Sequence, residues 1–133
     1  MAATILVVED DPSIRELLAI NLESSGHRVV EAASAEEAEP LITASLPDLI
    51  LLDWMLPGRT GPQFAARLRE SERTADVPII MLTAMDQPVD RRRGIGFGAD
   101  AYLTKPFDVD ELTGTISILL EQKALLDEDA LLP

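Results

Sequence analysis

The 133-residue sequence contains no cysteine, which excludes disulfide frameworks, thiolate metal sites and cysteine nucleophiles. It contains one histidine, His27, in a turn beside Gly26. A multi-histidine metal centre is therefore absent, and a Ser–His–Asp triad has no spare imidazole to draw on. Positive charge is scarce: 11 Lys and Arg stand against 24 Asp and Glu, giving a net charge of −13 and a pI near 4.3. That balance argues against this domain gripping a polyanion such as DNA. No apolar run approaches the roughly 18 residues of a membrane span. Ile5–Val8 is too short for a signal-peptide core, and acidic Glu9, Asp10 and Asp11 follow it at once. A soluble, cytoplasmic protein is expected. With 47% apolar residues and no linker or internal repeat, the length supports one compact domain.

The chain alternates between two hydrophobic patterns. Ile5–Val8, Leu49–Leu52 and Val77–Leu82 are short runs, apolar on both faces, of the kind that form parallel strands covered on both sides. Arg28–Glu31 and Ala101–Thr104 are weaker strands. Between them lie helical patterns. Ile14, Leu17, Leu18 and Leu22 recur at helical spacing before Gly26. Ser34-x-x-Glu37 reads as a capping box for a second helix. Gln63–Arg69 forms a third and Val89–Phe97 a fourth. Asp108 caps a fifth, with Leu112, Ile116, Leu119 and Leu120 on one face. The pattern predicts an α/β fold: a single doubly wound (βα)5 flavodoxin-like domain over residues 1–126, with a parallel five-stranded sheet of order 2-1-3-4-5. Residues 127–133 are expected to be an acidic, frayed tail. Pro40 inside the second helix predicts a kink or a restart there.

In open α/β sheets, ligands bind beyond the carboxyl ends of the strands. Strand 1 ends in Glu9-Asp10-Asp11, strand 3 in Asp53, strand 4 in Thr83-Ala84 and strand 5 in Lys105-Pro106-Phe107. The predicted order gathers several carboxylates, one ammonium and one hydroxyl around one shallow cleft. Taken singly, each has an ordinary role: Asp11 before Pro12 reads as a helix cap, Lys105 as a surface lysine, Thr83 as a loop hydroxyl. Together, like charges need a cation, and a hard ion such as Mg²⁺ suits an all-oxygen donor set. A carboxylate beside Mg²⁺, a Lys and a Thr is a plausible phosphoryl acceptor. Trp54 should point away from Asp53 and pack or cover surface, and His27 reads as a solvated loop residue.

The segments Val7–Asp11, Pro47–Gly58, Met81–Ala84, Gly98–Asp100 and Tyr102–Phe107 together resemble the receiver domain of two-component response regulators, within the OmpR/PhoB subfamily. The resemblance covers about residues 4–122. It implies that Asp53 is the phosphoacceptor, served by a phosphohistidine on a sensor histidine kinase. It implies that Mg²⁺ is held by Asp10 directly, by Glu9 through water, by Asp53, and by Met55 through its backbone carbonyl. Thr83 and Tyr102 would be the conformational switch, and Lys105 the phosphate-binding lysine, joined to Pro106 by a cis bond. The protein would be a signalling phosphoacceptor rather than an enzyme acting on other molecules. Met55 and Met85 would border the path of the attacking water, which implies slow autodephosphorylation.

Several positions depart from the subfamily. Ala101 replaces an acid, Thr115, Ser117, Glu121 and Gln122 stand where basic residues lie on the last helix, and Arg92 replaces an apolar residue. Arg91 and Glu111 remain as one charge pair. The subfamily's dimer through the fourth helix, fifth strand and fifth helix is therefore expected to be weak or lost. The DNA-binding output domain of the subfamily does not follow in these residues, so the chain is read as a free-standing receiver or part of a longer one. Competing readings fit less well. A flavin carrier needs a Ser/Thr/Gly-rich phosphate loop where Glu9-Asp10-Asp11 stands. A haloacid-dehalogenase-type phosphatase needs a second Asp where Met55 stands. A degenerate receiver would lack the acid pair, the Asp or the Lys.

Overall fold

The structure, a computed structural model, describes residues 2–84 and 98–131. Five strands, β1 (Thr4–Val8), β2 (Arg28–Ala32), β3 (Leu49–Asp53), β4 (Ile79–Ala84) and β5 (Ala101–Lys105), form one parallel sheet of order β2-β1-β3-β4-β5. The helices among the described residues are α1 (Pro12–Ser24), α2 (Ala35–Ala44), α3 (Gly61–Glu70) and α4 (Val109–Leu131). The expected helix at Val89–Phe97 lies outside the described residues. The architecture is the flavodoxin-like α/β fold that the alternating pattern predicts.

The sheet divides the core in two by strand parity. Ile5, Val7, Leu49, Leu51, Ile80, Leu82 and Leu103 face α1 and α4, meeting Leu18, Leu22, Leu112, Ile116 and Leu120. Leu6, Val8, Ile50, Leu52, Ile79 and Met81 face α2 and α3, meeting Ala38, Ile42, Phe64, Ala65 and Leu68. Both faces of the central strands are covered, which is why their sequences are continuously apolar. Leu17, included in the apolar stripe of the first helix, is half exposed; the buried stripe runs through Leu18 and Leu22.

Helix ends follow local hydrogen-bond chemistry. Asp11 caps α1, its Oδ1 accepting from the Ser13 N–H at 2.8 Å. Asp108 caps α4 through the Asp110 N–H at 2.7 Å. Ser34 accepts from the Glu37 N–H at 3.1 Å, but the Glu37 carboxylate turns to the Ala33 N–H, so the expected box is not reciprocal. The reciprocal box is at Thr60 and Gln63, with bonds of 3.3 and 3.0 Å, and it starts α3 two residues before the predicted Gln63.

One expectation about helix continuity is corrected in part. α2 runs from Ala35 to Ala44 without a restart at Pro40. Pro40 is exposed and removes only the bond to the exposed Glu36 carbonyl, close to the helix start. α4 continues to Leu131, past Asp127. Lys123 and Asp127, four residues apart, support that extension with an ion pair of 3.9 Å.

Candidate functional site

The carboxyl ends of β1, β3 and β5 converge. Glu9 continues the parity of Ile5 and Val7, Asp53 that of Leu49 and Leu51, and Lys105 that of Leu103, so all three belong to the α1/α4 face. Between β3 and β5 on that face stands Ala84, the register partner of Lys105. Its single methyl leaves room for the lysine to cross β4. Lys105 Nζ lies 2.6 Å from Glu9 Oε1 and 3.0 Å from Asp53 Oδ1.

Glu9 and Asp53 are only 1% and 4% exposed, whereas Asp10 is exposed. Ligand oxygens of Glu9, Asp10 and Asp53 lie within 4.8 Å of one another. Burial pushes the Glu9 carboxyl up to about 7; the Lys105 hydrogen bond opposes this and the Asp53 charge adds to it. Burial alone would lower the Lys105 ammonium, but its bonds to Glu9 and Asp53 carry it above its ordinary value. The backbone fixes Glu9 further: its N–H donates to the Ala32 carbonyl at 3.0 Å, and Arg15 donates to its carbonyl at 2.8 Å. Glu9 Oε2 accepts from the Asp11 N–H at 3.2 Å. Both Glu9 oxygens thus have protein partners, leaving the exposed Asp10 with the less committed carboxylate. An all-oxygen donor set, two-thirds of it buried beside one ammonium, fits a hard divalent cation such as Mg²⁺.

The loop from Trp54 to Thr60 leaves β3 at this site. The Trp54 N–H donates to the Leu82 carbonyl at 2.8 Å, and its side chain packs against the α2/α3 core, away from the Asp53 face. Gly61 closes the loop by donating to the Trp54 carbonyl at 3.1 Å. A Cβ at Gly61 would lie 2.3 Å from the Asp53 carbonyl oxygen, so only glycine lets α3 begin here. Met55 is in this loop with an exposed side chain.

Thr83 and Tyr102 belong to the opposite parity. Tyr102 packs against the α2/α3 core, and Thr83 is buried with its hydroxyl donating to the Ala84 carbonyl at 3.0 Å. The structure therefore brings Glu9, Asp10, Asp53 and Lys105 together, and leaves Thr83 bonded to its neighbour. The Tyr102 hydroxyl is buried and has no hydrogen-bond partner among the described residues. Burial, reinforced by the Asp100 charge, pushes its phenol up to about 12. The Lys105–Pro106 bond is cis.

Two arrangements escaped the sequence reading. Arg69 donates to the carbonyls of Gly98, Ala75 and Val77 and to Asp100, tying α3 to the residues just before β4 and just before β5. Arg59 joins the loop after Asp53 to α2. Neither leaves a periodic signal, because the partners lie outside each arginine's own element and are mostly backbone carbonyls or residues 20 or more positions away. His27 also differs from expectation: it is half-buried, and its Nδ1 accepts from the Ala3 N–H at 3.2 Å.

A parallel 2-1-3-4-5 sheet with an acid cluster and a lysine at its carboxyl edge defines a class, and comparison with known proteins agrees. The response regulator receiver domain family matches residues 5–117, and the chain belongs to that family. It is 44% identical over 127 residues to the phosphate regulon transcriptional regulatory protein PhoB of Pseudomonas aeruginosa, covering 96% of this chain and 56% of the relative. It is 47% identical over 118 residues to the DNA-binding dual master transcriptional regulator RpaA of Synechocystis, covering 89% of this chain and 49% of the relative. The chain thus spans about half the length of the curated relatives it matches. Among solved structures, the receiver domain of the Francisella response regulator 1452 superposes with a TM-score of 0.84 at 33% identity, covering 91% of this chain and 98% of that one. The chain is accordingly a response regulator receiver domain, a signalling module.

Proposed function

We propose that Asp53 accepts a phosphoryl group from a phosphohistidine of a sensor histidine kinase, in a reaction that requires Mg²⁺. A carboxylate oxygen of Asp53 attacks phosphorus, a P–O bond forms as the P–N bond to the kinase histidine breaks, and the imidazole leaves. The observation that supports this most is the contact of Lys105 Nζ with Asp53 at 3.0 Å inside the cluster of Glu9, Asp10 and Asp53. Asp10 would bind the ion directly, Glu9 through water and Met55 through its carbonyl. When bound, Mg²⁺ supplies positive charge to the equatorial oxygens of the transferring group. Lys105 supplies a second positive charge from the β5 side, and the apolar floor of the site limits water.

Thr83 would leave the Ala84 carbonyl and donate to the new phosphoryl group. The Tyr102 ring would then move inward behind it, its hydroxyl gaining a partner. Autodephosphorylation would be slow, because Met55 beside the acceptor offers no base. The activated chain would be a monomer or weak dimer. The module would work in the bacterial cytoplasm and make no nucleic-acid contact itself.

Intact-mass analysis after acetyl phosphate and Mg²⁺ tests the reading. One added phosphoryl group, lost in Asp53→Asn and absent when Mg²⁺ is chelated, is expected. An unmodified mass, or a label that persists in Asp53→Asn, would refute it.

A further inference from the structure

The loop that follows the acceptor strand is gripped from outside by two glutamates of α2. Glu36 Oε1 accepts a hydrogen bond from the Arg59 backbone N–H at 3.2 Å. The same carboxylate closes over Gly58, where a Cβ would lie 3.1 Å from Oε1. Gly58 has a φ of +73°, in the left-handed region that favours glycine, and so lets the chain turn beneath that carboxylate. Three residues further along the same helix face, Glu39 Oε1 accepts from the Arg59 guanidinium and, at 3.0 Å, pairs with Arg67 of α3. Arg59 is thus held at its backbone by Glu36 and at its side chain by Glu39.

Partly exposed ion pairs of this kind add little to global stability. Their location gives them a larger local effect. The loop's inner anchors are the Trp54–Leu82 bond, the Gly61–Trp54 bond and the buried Leu56. Met55 lies between Trp54 and Leu56, and residues 57–60 have no strand or helix ladder of their own. An octahedral ion tolerates little error in the position of a carbonyl ligand. Ordering the loop before the ion arrives removes an entropy cost from binding.

We propose that Glu36 and Glu39 are positioning residues for Mg²⁺: acting through Arg59, they preset the 54–60 loop so that the Met55 carbonyl meets the ion. The inference rests on the phosphoacceptor reading of Asp53. By linkage, the bound ion tightens the clamp in turn.

The test is Mg²⁺ titration of the full chain, followed by emission of Trp54, the sole tryptophan, and by calorimetry. Glu36→Ala should weaken Mg²⁺ binding roughly tenfold, as loss of an outer-shell support does elsewhere. The melting temperature of the Mg²⁺-free protein should barely move. Glu36→Gln loses the same charge but keeps an acceptor for the Arg59 N–H, and should bind nearly as the parent does. Arg59→Ala removes a positive charge, so simple electrostatics would tighten Mg²⁺ binding; the clamp requires it to weaken. Glu36→Gln as weak as Glu36→Ala, or Arg59→Ala binding as tightly as the parent, would overturn the proposal. A parent that takes up no Mg²⁺ in the calorimeter would overturn the reading of the site itself, and the clamp with it.

Discussion

Lys105 and Glu9 are 96 positions apart in sequence, yet the lysine Nζ lies 2.6 Å from Glu9 Oε1. The carboxylate is almost wholly buried, so this ammonium is its main compensation for lost hydration. Lys105→Met keeps the length of the side chain and removes the charge. Leaving the buried carboxylate unpaired should cost about 1–3 kcal/mol. The urea midpoint should fall accordingly, and labelling by acetyl phosphate should become far slower. An unchanged midpoint would show that Glu9 is compensated by other groups.

Glu9, Asp10 and Asp53 repel one another, and a cation that binds only the folded arrangement stabilises it by mass action. Millimolar Mg²⁺ should raise the melting temperature. Asp10→Asn should raise the stability of the Mg²⁺-free protein and abolish the Mg²⁺ effect. A parent melting curve indifferent to Mg²⁺ would contradict this account.

Met55, two residues beyond Asp53, has an exposed thioether. A thioether neither takes a proton nor strongly orients water. The acyl phosphate on the parent should therefore be long-lived, and Met55→Asn, which adds a hydrogen-bonding amide, should shorten its life severalfold. Loss of labelled phosphate over time is the measurement, and equal decay of the two proteins would remove Met55 from the explanation.

The subfamily's charge-paired dimer should be weak in this chain. Ala101 has no charge, Ser117 has none to offer, and the Thr115 hydroxyl is spent on the Glu111 carbonyl of its own helix at 2.7 Å. Arg91 and Arg92, the other positions in this argument, lie outside the described residues. An exposed Arg91–Glu111 pair would contribute about 1 kcal/mol at most. Light scattering on the protein activated with beryllofluoride and Mg²⁺ should report mostly monomer at micromolar concentration. A tight dimer that Glu111→Lys dissociates would show that the interface survives.

His27 gives a pH dependence of known sign. Burial lowers its pKa from 6.5, and the neutral Nδ1 accepts the Ala3 N–H. The unfolded chain therefore binds a proton more readily than the folded one. The stability tied to the neutral ring is complete above 6.5 and is lost as pH falls from there through the lower folded pKa. His27→Gln keeps an acceptor that does not titrate. Between about pH 7 and 5.5 the parent should lose more stability than this variant, as read by urea midpoints. Parallel pH profiles would exclude His27 as a contributor.

The strands, most helix starts and the strand-end residues were legible because each is encoded over a few neighbouring positions. Asp11 before Pro12 and Asp108 before Val109 announce their caps. The Thr60–Gln63 box is legible in principle, because Thr and Gln stand three residues apart at the start of the third helix. Leu17 shows the limit of periodicity: it fits the helical spacing, but neighbouring elements decide which edge of the stripe is covered. Thr83 shows the limit of motif reading. The chain carries the hydroxyl, and the structure places it on the Ala84 carbonyl rather than on Asp53.

By itself, the sequence determined an alternating α/β chain with its carboxylates, hydroxyl and lysine at the carboxyl ends of apolar strands. Strand parity and helix capping are local properties, set by the pleat and by unsatisfied N–H groups. Only the tertiary structure decided that Lys105 crosses over Ala84 to hold Glu9 and Asp53, and that Glu36 and Glu39 grip the loop through Arg59. Those contacts join residues 20 to 96 positions apart. Their reach depends on sheet order, on the size of the side chain between them and on how two helices pack, none of which a local pattern encodes.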